Sequence, residues 1–367
     1  MKILFVTGTL THGGAQRVIS VVASRMSEMG HDVSMIVFKR FPEEYPLSGR
    51  VKVFSLADSE EEYEKISGAK RVFLLRRIIK GIHPDVAVGF LEGGYGMYLA
   101  SLGMKMLRIA SARVNPKSIL EETGLRSIIN RIWFRMADMV VLQTKGQIEL
   151  LNGLCRKERC VVIPNPISDA YLSIEPHAYD RPVERIVMVG RLNEQKDYPT
   201  ALEAMRIVNK VNPNITLDIV GEGDIRPELE RLIVEKGLEN TVRLVGWSND
   251  VYKIEKGSDV FLMTSLYEGM PNALMEAMAS GLICISTDCE TGPADLIENG
   301  KNGFLVSLTD SNAIAQRIIE IAEMSEEERR GLGDAARRYI VDNYSSITIV
   351  KKWEQAILGL MAKMNRG

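Results

Sequence analysis

A chain of 367 residues exceeds the size at which a single hydrophobic core usually continues to grow, so two domains are expected, and its 46% hydrophobic content can fill both cores. The charge is unevenly divided: residues 1–170 hold 24 Lys+Arg against 17 Asp+Glu, whereas residues 171–367 hold 22 against 31. Aromatic residues make up only 6%. This composition excludes a generic nucleic-acid-binding protein, which would be basic throughout with interleaved aromatics.

The apolar segments are too short to cross a bilayer, which requires roughly 18 or more uninterrupted apolar residues. The first apolar run, residues 3–6, is followed at once by Thr7-Gly8-Thr9, which fits a strand and loop better than a signal peptide. We therefore expect a cytoplasmic protein.

The four cysteines are too few for a disulfide framework, which agrees with a reducing compartment. They form two pairs, Cys155 with Cys160 and Cys284 with Cys289, whose spacing is wider than that of a zinc knuckle and which have no nearby histidines. We expect buried structural thiols and no metal.

β-Branched apolar runs alternate with helical patterns along the chain, which is typical of strand–helix–strand units around parallel sheets. The predicted strands form two series: residues 2–8, 32–38, 51–56, 85–90, 107–112, 138–144 and 160–163, then residues 185–190, 215–221, 242–245, 259–263, 282–286 and 303–306. The expected fold class is α/β, with two doubly wound, Rossmann-like domains facing across a cleft. A ligand should bind in that cleft, at the carboxyl ends of the strands.

Turn-forming residues around Pro164-Asn165-Pro166 mark the boundary between the two series. We predict a first domain over residues 1–166, a linker over 167–183, a second domain over 184–344 and a final helical segment over 345–367.

Three familiar motifs are incomplete. Gly221-Glu222-Gly223 follows a predicted strand as in a dinucleotide-binding turn, but Arg226 occupies the place of the third glycine. The spacing from Gly8 to Gly13 is that of a P-loop, but Gly14-Ala15 replaces its lysine and hydroxyl residue. No Asp-x-Asp occurs. These departures argue against NAD binding and ATP hydrolysis and favour a reaction without a divalent metal.

Two loops carry groups suited to a diphosphate. Gly13-Gly14 precedes the first helical pattern, where backbone amides at a helix N-terminus can approach an anion. Arg191 and Lys196 lie five residues apart after a predicted strand and could neutralise a departing nucleoside diphosphate. For each loop taken alone, a plain turn or a solvated surface remains the alternative.

The most specific pattern is a pair of glutamates. Glu268 ends a strand-to-helix loop, and Glu276 falls about one turn inside the helix predicted to begin near Asn272. A carboxylate in an otherwise apolar helix destabilises the fold unless it is hydrogen-bonded. Ribose hydroxyls would satisfy it.

Together these motifs make the chain resemble the retaining glycosyltransferases of family 4, which have the GT-B fold. The resemblance covers the whole chain and extends to members that build bacterial surface polysaccharides and lipid-linked oligosaccharides. The motifs that carry it are Gly13-Gly14, Pro164-Asn165-Pro166, Gly190-Arg191 with Lys196, Gly221-Glu222-Gly223, Gly246-Trp247, and Glu268 with Glu276.

The resemblance implies a role for each motif. Arg191 and Lys196 would hold the donor diphosphate and Glu268 the sugar hydroxyls, which makes these three the candidate catalytic residues. Glu276 would bind the ribose, and the last helix would cross back onto the first domain. The full set expected to bind the nucleotide sugar is Gly13, Gly14, Gly246, Gly269, Met270, Asn272, Ala273, Leu274 and Glu276.

Many relatives carry a histidine in the loop that corresponds to residues 111–116, close to the reacting sugar. This chain has Arg113 and Asn115 there, as does a subset that builds surface polysaccharides. Together with His12, beside the first glycine-rich loop, these are the candidates for an acceptor or active-site loop.

The sequence therefore predicts a hexosyltransferase that moves a hexose or N-acetylhexosamine, with retention of configuration, from a nucleotide sugar to a saccharide acceptor. The resemblance favours a UDP-sugar and a polyprenyl-diphosphate-linked acceptor, with no further cofactor and no metal. A sugar-nucleotide epimerase of similar fold and a non-catalytic sugar-nucleotide sensor are the alternatives.

Two basic segments of the first domain raise the question of membrane contact. Residues 70–80 and 126–135 mix cations with large apolar side chains, a composition that can place helices at the inner leaflet of an anionic membrane. Helices that pack on the sheet with their arginines in water are the alternative.

Overall fold

The computed structural model describes residues 1–11, 13–90, 92–113, 124–151, 153–248 and 250–364. The chain folds into two compact units. Unit 1 combines residues 1–166 with residues 346–367, and unit 2 spans residues 167–345.

Unit 1 is built on a seven-stranded parallel sheet in the order β3-β2-β1-β4-β5-β6-β7. Its strands are β1 (Lys2–Thr7), β2 (Asp32–Lys39), β3 (Lys52–Ala57), β4 (Val86–Phe90), β5 (Leu107–Ser111), β6 (Met139–Leu142) and β7 (Cys160–Val162). Its first six helices are α1 (Gly14–Glu28), α2 (Glu60–Lys65), α3 (Gly68–Ile82), α4 (Glu92–Ala100), α5 (Gly124–Met136) and α6 (Gly146–Leu150). The strand order reverses between β1 and β4, which creates a topological switch point at their carboxyl ends.

Unit 2 repeats this plan with a six-stranded parallel sheet in the order β10-β9-β8-β11-β12-β13. Its strands are β8 (Arg185–Val189), β9 (Thr216–Val220), β10 (Val242–Gly246), β11 (Val260–Met263), β12 (Ile283–Thr287) and β13 (Phe304–Val306). Its helices are α7 (Asp169–Leu172), α8 (Tyr198–Val211), α9 (Arg226–Glu235), α10 (Val251–Lys256), α11 (Asn272–Ala279), α12 (Pro293–Leu296), α13 (Ser311–Glu323) and α14 (Glu326–Tyr344). Here the order reverses between β8 and β11.

The central strands are apolar on both faces because helices cover each sheet from both sides. Every residue of β4 and of β11 is buried. Side chains alternate between the two faces of a strand, so a strand that is buried throughout must have a hydrophobic layer on each side. The continuous apolar runs in the sequence are therefore explained by the two helical layers.

The last helix, α15 (Ser346–Met364), packs in unit 1. Its Trp353 is fully buried and stacks on Phe90, the last residue of β4, with ring centroids 6.1 Å apart. A hydrogen bond joins Glu354 Oε1 and His31 Nε2 at 2.8 Å. These contacts fix the end of the chain to the sheet that forms at its beginning.

All thirteen predicted strands are present among the described residues, with ends that shift by at most two residues. The predicted start of a helix near Asn272 is confirmed. Residues 167–183, expected to be a linker, belong to unit 2 and contain α7. Burial was predicted for all four cysteines, which is correct for Cys284 and Cys289 but wrong for Cys155 and Cys160, since these two thiols are half-buried.

Helix α4 approaches the sheet so closely that it requires glycine. A Cβ atom at the buried Gly93 would meet the backbone of Val6 and Thr7 in β1. Gly81, near the end of α3, is exposed and has no atom within 4 Å of the corresponding position. Both glycines lie within helices, but only Gly93 is packed against another element, so alanine substitutions at the two positions can be compared directly.

We expect Gly93→Ala to destabilise the protein by about 1–3 kcal/mol, because the added methyl group forces α4 away from β1. Gly81→Ala should instead stabilise it by about 0.4–1 kcal/mol, since alanine restricts the unfolded chain and meets no obstacle. Urea unfolding followed by circular dichroism measures both changes. Equal effects of the two substitutions would contradict the close packing of α4 on β1.

Candidate functional site

The predicted catalytic residues of unit 2 lie at its topological switch point. The loop after β8 contains Arg191 and Lys196, and the loop after β11 contains Glu268. Strands β8 and β11 are neighbours in a parallel sheet, so their carboxyl ends emerge side by side. Crevices at such positions are where open α/β sheets bind ligands.

Lys196 and Glu268 form a direct ion pair. Lys196 Nζ donates to Glu268 Oε1 at 2.6 Å, and the side chains are only 18% and 9% exposed. Arg191 is exposed in the same loop as Lys196. The structure therefore brings together one predicted diphosphate ligand and the predicted sugar ligand, with a second cation five residues away.

Side chains that the sequence analysis did not single out hold these two loops together. The Thr264 hydroxyl donates to the backbone carbonyls of Lys196 and Asp197, at 2.7 and 2.9 Å. Gln195 Nε2 donates to the Tyr267 carbonyl at 2.7 Å, and the Gln195 carbonyl accepts from the amide of Leu266 at 2.8 Å.

A third loop supports Glu268 from the other side. The Thr291 hydroxyl donates to the Glu268 carbonyl. The next residue, Gly292, has φ 101°, and a Cβ atom there would lie 2.9 Å from the carbonyl oxygen of Gly269. The turn-forming pair Thr291-Gly292 before Pro293 was a signal in the sequence, but only the fold shows which loop it contacts.

Glu276 lies in the second turn of α11 and is only 6% exposed. Its helical neighbours Leu274, Met275 and Ala277 are buried, as is Met270 just before the helix. The N-cap position of α11 is Pro271, which provides no side-chain hydrogen bond. Gly269, Asn272 and Ala273 are partly exposed beside this helix start.

The glycines after β9 and β10 have a packing role. A Cβ atom at Gly221 would collide with the Gly190 carbonyl, and one at Gly223 with the Leu192 carbonyl. Gly246 has φ 87°, and its carbonyl accepts from the amide of Gly221 at 2.8 Å. These glycines let the loop that carries Arg191 lie directly against its neighbours.

Arg226, which occupies the place of the third glycine, lies at the start of α9. Its guanidinium forms ion pairs with Glu222 at 2.7 Å and with Glu230 at 2.9 Å. A third glycine would allow close helix–strand packing here, whereas this chain has a long side chain that bridges two carboxylates.

In unit 1, Gly13 and Gly14 are exposed at the start of α1. Gly13 has φ 147°, and a Cβ atom there would lie 2.5 Å from Gln16 Oε1. As the N-cap residue, Gly13 itself provides no side-chain hydrogen bond to the first turn of α1. This turn lies in the loop region after β1, and a helix N-terminus is the kind of position that accepts anions.

Arg113 is buried within unit 1, only 6% exposed. It donates to Ser111 Oγ at 2.9 Å, to the Ile163 carbonyl at 3.2 Å and to Asn165 Oδ1 at 2.9 Å. Its guanidinium also lies 5.4 Å from the ring centroids of Phe90 and Trp353. Burial lowers the pKa of Arg113 to about 9, so it remains a cation at neutral pH.

Two further candidates, His12 and Asn115, lie outside the described residues.

Cys289 is near Glu268, and burial together with that carboxylate raises the pKa of its thiol to about 12. Cys289 is therefore protonated at neutral pH and is a poor nucleophile. In the part of the chain that the structure describes, no group of three or more His, Cys, Asp or Glu side chains could hold a metal ion.

Comparison with known proteins gives a family match in unit 2. Residues 174–339 match the model of the Glycosyl transferases group 1 family. The amylovoran biosynthesis glycosyltransferase AmsD of Erwinia amylovora is 26% identical over 97% of this chain and 99% of its own length. An α-1,4-N-acetyl-D-galactosaminyltransferase of Campylobacter jejuni is 26% identical over 97% of this chain and 98% of its own length. It is named for a diphosphoundecaprenol-linked saccharide.

Solved structures match across both units. TarM of Staphylococcus aureus, solved with UDP, has a TM-score of 0.78 at 15% identity and covers 97% of this chain and 99% of its own. HepE of Anabaena, solved with UDP and glucose, has a TM-score of 0.79 at 19% identity and covers 97% of this chain and 99% of its own. At these identities the likeness establishes the fold. The chain therefore contains a glycosyl transferases group 1 domain and has the fold class of the GT-B glycosyltransferases.

Proposed function

We propose that this glycosyltransferase transfers a hexose or N-acetylhexosamine from a UDP-sugar to a lipid-linked saccharide, with retention of configuration, as members of family 4 do. The observation that carries the proposal is the Lys196–Glu268 ion pair at the switch point of unit 2, followed in the chain by the helix that carries the buried Glu276. In this assignment unit 2 binds the donor and unit 1 the acceptor.

The names of the similar proteins support the choice of substrates. The Campylobacter relative is named for an undecaprenol-diphosphate acceptor, and the Erwinia relative for synthesis of a polysaccharide. The Anabaena structure contains UDP and glucose. Taken together, these names support a nucleotide sugar as the donor and a polyprenyl-diphosphate-linked saccharide as the acceptor.

The ion pair suggests how donor binding prepares the site. An arriving diphosphate would compete with Glu268 for the Lys196 ammonium, because its two phosphate groups together carry more negative charge than the single carboxylate. Glu268 would then be free to accept hydrogen bonds from the sugar hydroxyls. Lys196 and the exposed Arg191 would stabilise the charge that develops on the leaving diphosphate, with no divalent metal required.

Retention without a covalent intermediate would follow from a front-face reaction. In such a reaction the departing phosphate takes up the acceptor's hydroxyl proton while the new glycosidic bond forms on the same face of the sugar. The protein contributes by positioning both substrates and by stabilising the leaving group, and both contributions are greatest in the transition state.

Substitution of Lys196 tests this assignment. Lys196→Ala should lower kcat by about 100-fold or more, as the loss of one group that stabilises developing charge commonly does. The Kd for UDP should rise by a smaller factor. Turnover of the UDP-sugar with acceptor, and calorimetric titration with UDP, measure the two effects.

Two controls sharpen the experiment. Lys196→Arg keeps the positive charge and should retain more activity than Lys196→Ala, and Lys253→Ala removes an exposed lysine elsewhere in unit 2. Equal losses of kcat and of UDP affinity, or no loss at all, would disprove the catalytic role. Donor turnover that proceeds without any acceptor would instead indicate an epimerase.

Glu276 is proposed to bind the ribose, so Glu276→Ala should weaken binding of UDP and of UDP-sugar alike. Hydrogen bonds to a charged group contribute roughly 1.5–3 kcal/mol, which corresponds to an increase in Kd of about tenfold or more. A thermal-shift series measures this directly, because UDP at 100 times its Kd should stabilise the native protein by about 2.7 kcal/mol. Glu239→Ala, at an exposed site in unit 2, is the control. An unchanged UDP affinity in Glu276→Ala would show the assignment to be wrong.

We also propose that unit 1 contacts an anionic membrane surface, where a lipid-linked acceptor would be found. Helix α5 exposes Ile128, Ile132 and Met136, which are 55%, 45% and 55% accessible. Their spacing of four residues puts them on one face of the helix. Arg131 and Arg135 are exposed beside them. Large apolar groups flanked by arginines fit the boundary between headgroups and acyl chains.

The exposed face continues across neighbouring elements. Helix α4 packs against both α3 and α5. Helix α3 exposes Phe73, which is 65% accessible, near Arg77 and Lys80. The turn after α4 exposes Leu102. The positive charges complement an anionic leaflet, which favours a membrane as the partner of this surface. No described helix has the length and hydropathy needed to span a bilayer.

Flotation with phosphatidylglycerol-containing vesicles tests the membrane contact. Ile132→Glu should reduce the floated fraction about tenfold, since burial of an isoleucine contributes roughly 1.5–3 kcal/mol. Val234→Glu alters an exposed apolar residue of unit 2, 63% accessible, and should leave flotation unchanged. Vesicles of phosphatidylcholine alone should bind less protein. Wild-type protein that stays in the soluble fraction with anionic vesicles would refute the proposal.

A further inference from the structure

Two thiols of unit 1 are in direct contact outside the candidate site. Cys155 Sγ and Cys160 Sγ lie 3.1 Å apart, and both side chains are half-buried rather than enclosed. The other two cysteines, Cys284 and Cys289, are 0% and 2% exposed. The pair therefore combines proximity with access from solvent, which the remaining cysteines lack.

The segment between the two thiols is firmly held. It contains a single 3-10 turn, Lys157–Arg159, before Cys160 begins β7. Lys157 Nζ donates to both carboxylate oxygens of Glu149 at 2.8 Å, and Arg159 donates to the Ala137 carbonyl at 3.0 Å. Cys160 lies in register with Val140 of β6. These contacts keep the sulfur atoms together rather than leaving them on a free loop.

The surroundings favour a thiolate at one of the two positions. The contact between the two sulfur atoms lowers the pKa of Cys160 and raises that of Cys155. Burial and the Glu158 carboxylate act on the pKa of Cys160 in the opposite direction, but the contact with Cys155 is the largest of these effects. A neighbouring thiol is one of the features that make a cysteine reactive.

We propose that Cys155 and Cys160 form a reversible, peroxide-reactive dithiol. The Cys160 thiolate attacks a peroxide oxygen, so that an S–O bond forms, the O–O bond breaks, and the departing hydroxide or alkoxide takes a proton. The Cys155 sulfur then attacks the resulting sulfenic acid: the S–S bond forms, and the S–O bond breaks with release of water. Two thiols are oxidised and one peroxide is reduced, and a dithiol reductant reverses the reaction.

Little movement is needed for this step. The sulfur atoms must approach by about 1 Å to reach the disulfide bond length of roughly 2.05 Å. Rotation of the cysteine side chains can supply such a displacement while the side-chain contacts of Lys157 and Arg159 persist. The bond would tie the first residue of the edge strand β7 to the loop that precedes it.

The test uses the full-length protein, reduced, freed of reductant and treated with hydrogen peroxide. The expected product is a monomer that has lost two hydrogen atoms by intact mass, with the bond mapped to Cys155–Cys160 and removed by dithiothreitol. In Cys155→Ser, dimedone should trap a sulfenic acid at Cys160. Cys160→Ser should react at least about tenfold more slowly, because the more acidic thiol is gone.

Cys289→Ser is the control and should form the same disulfide as wild type. Circular dichroism of each variant, and of Cys155→Ala as a second replacement, verifies the fold. Thiols that remain reduced, a bond between two molecules, or oxidation that dithiothreitol does not reverse would each overturn the proposal. The outcome does not depend on whether the chain transfers sugar.

Discussion

The ion pair between Lys196 and Glu268 is the interaction on which the candidate site depends. Its partners are 72 residues apart in the chain, but they leave strands β8 and β11, which are neighbours in the sheet. Charges withdrawn from water are costly unless they are paired and hydrogen-bonded. The bonds from Thr264, Gln195 and Thr291 therefore do more than stabilise loops, because they fix the geometry in which the two charges meet.

Arg113 shows how burial changes the interpretation of a sequence motif. Relatives place a histidine in the corresponding loop, which suggested an active-site role for this arginine. In the fold its guanidinium binds the Ile163 carbonyl and Asn165 and lies against Phe90 and Trp353. It thus joins the ends of β4, β5 and β7 to the last helix. A buried cation needs such partners, since desolvation alone would make it strongly destabilising.

Glycine has a comparable role on the backbone. Gly221 and Gly223 look like a phosphate-binding motif in the sequence, yet their missing side chains make room for the backbone of the Arg191 loop. Gly93 does the same for helix α4 against β1. In each case the packing that requires glycine involves a segment distant in sequence. The sequence therefore shows the glycine but not the contact that requires it.

The fold class, the thirteen strands and the local setting of Glu268 and Glu276 could be predicted from the sequence, because alternation of apolar strands with helical patterns is a property of short segments. The loop that carries Arg191 and Lys196 could be identified in the same way. The sequence did not show that Lys196 pairs with Glu268, that Arg113 is buried, or that Cys155 and Cys160 are in contact in a half-buried position. These facts depend on which strands become neighbours and on how closely helices approach them, and neither is encoded in the spacing of residues along one segment.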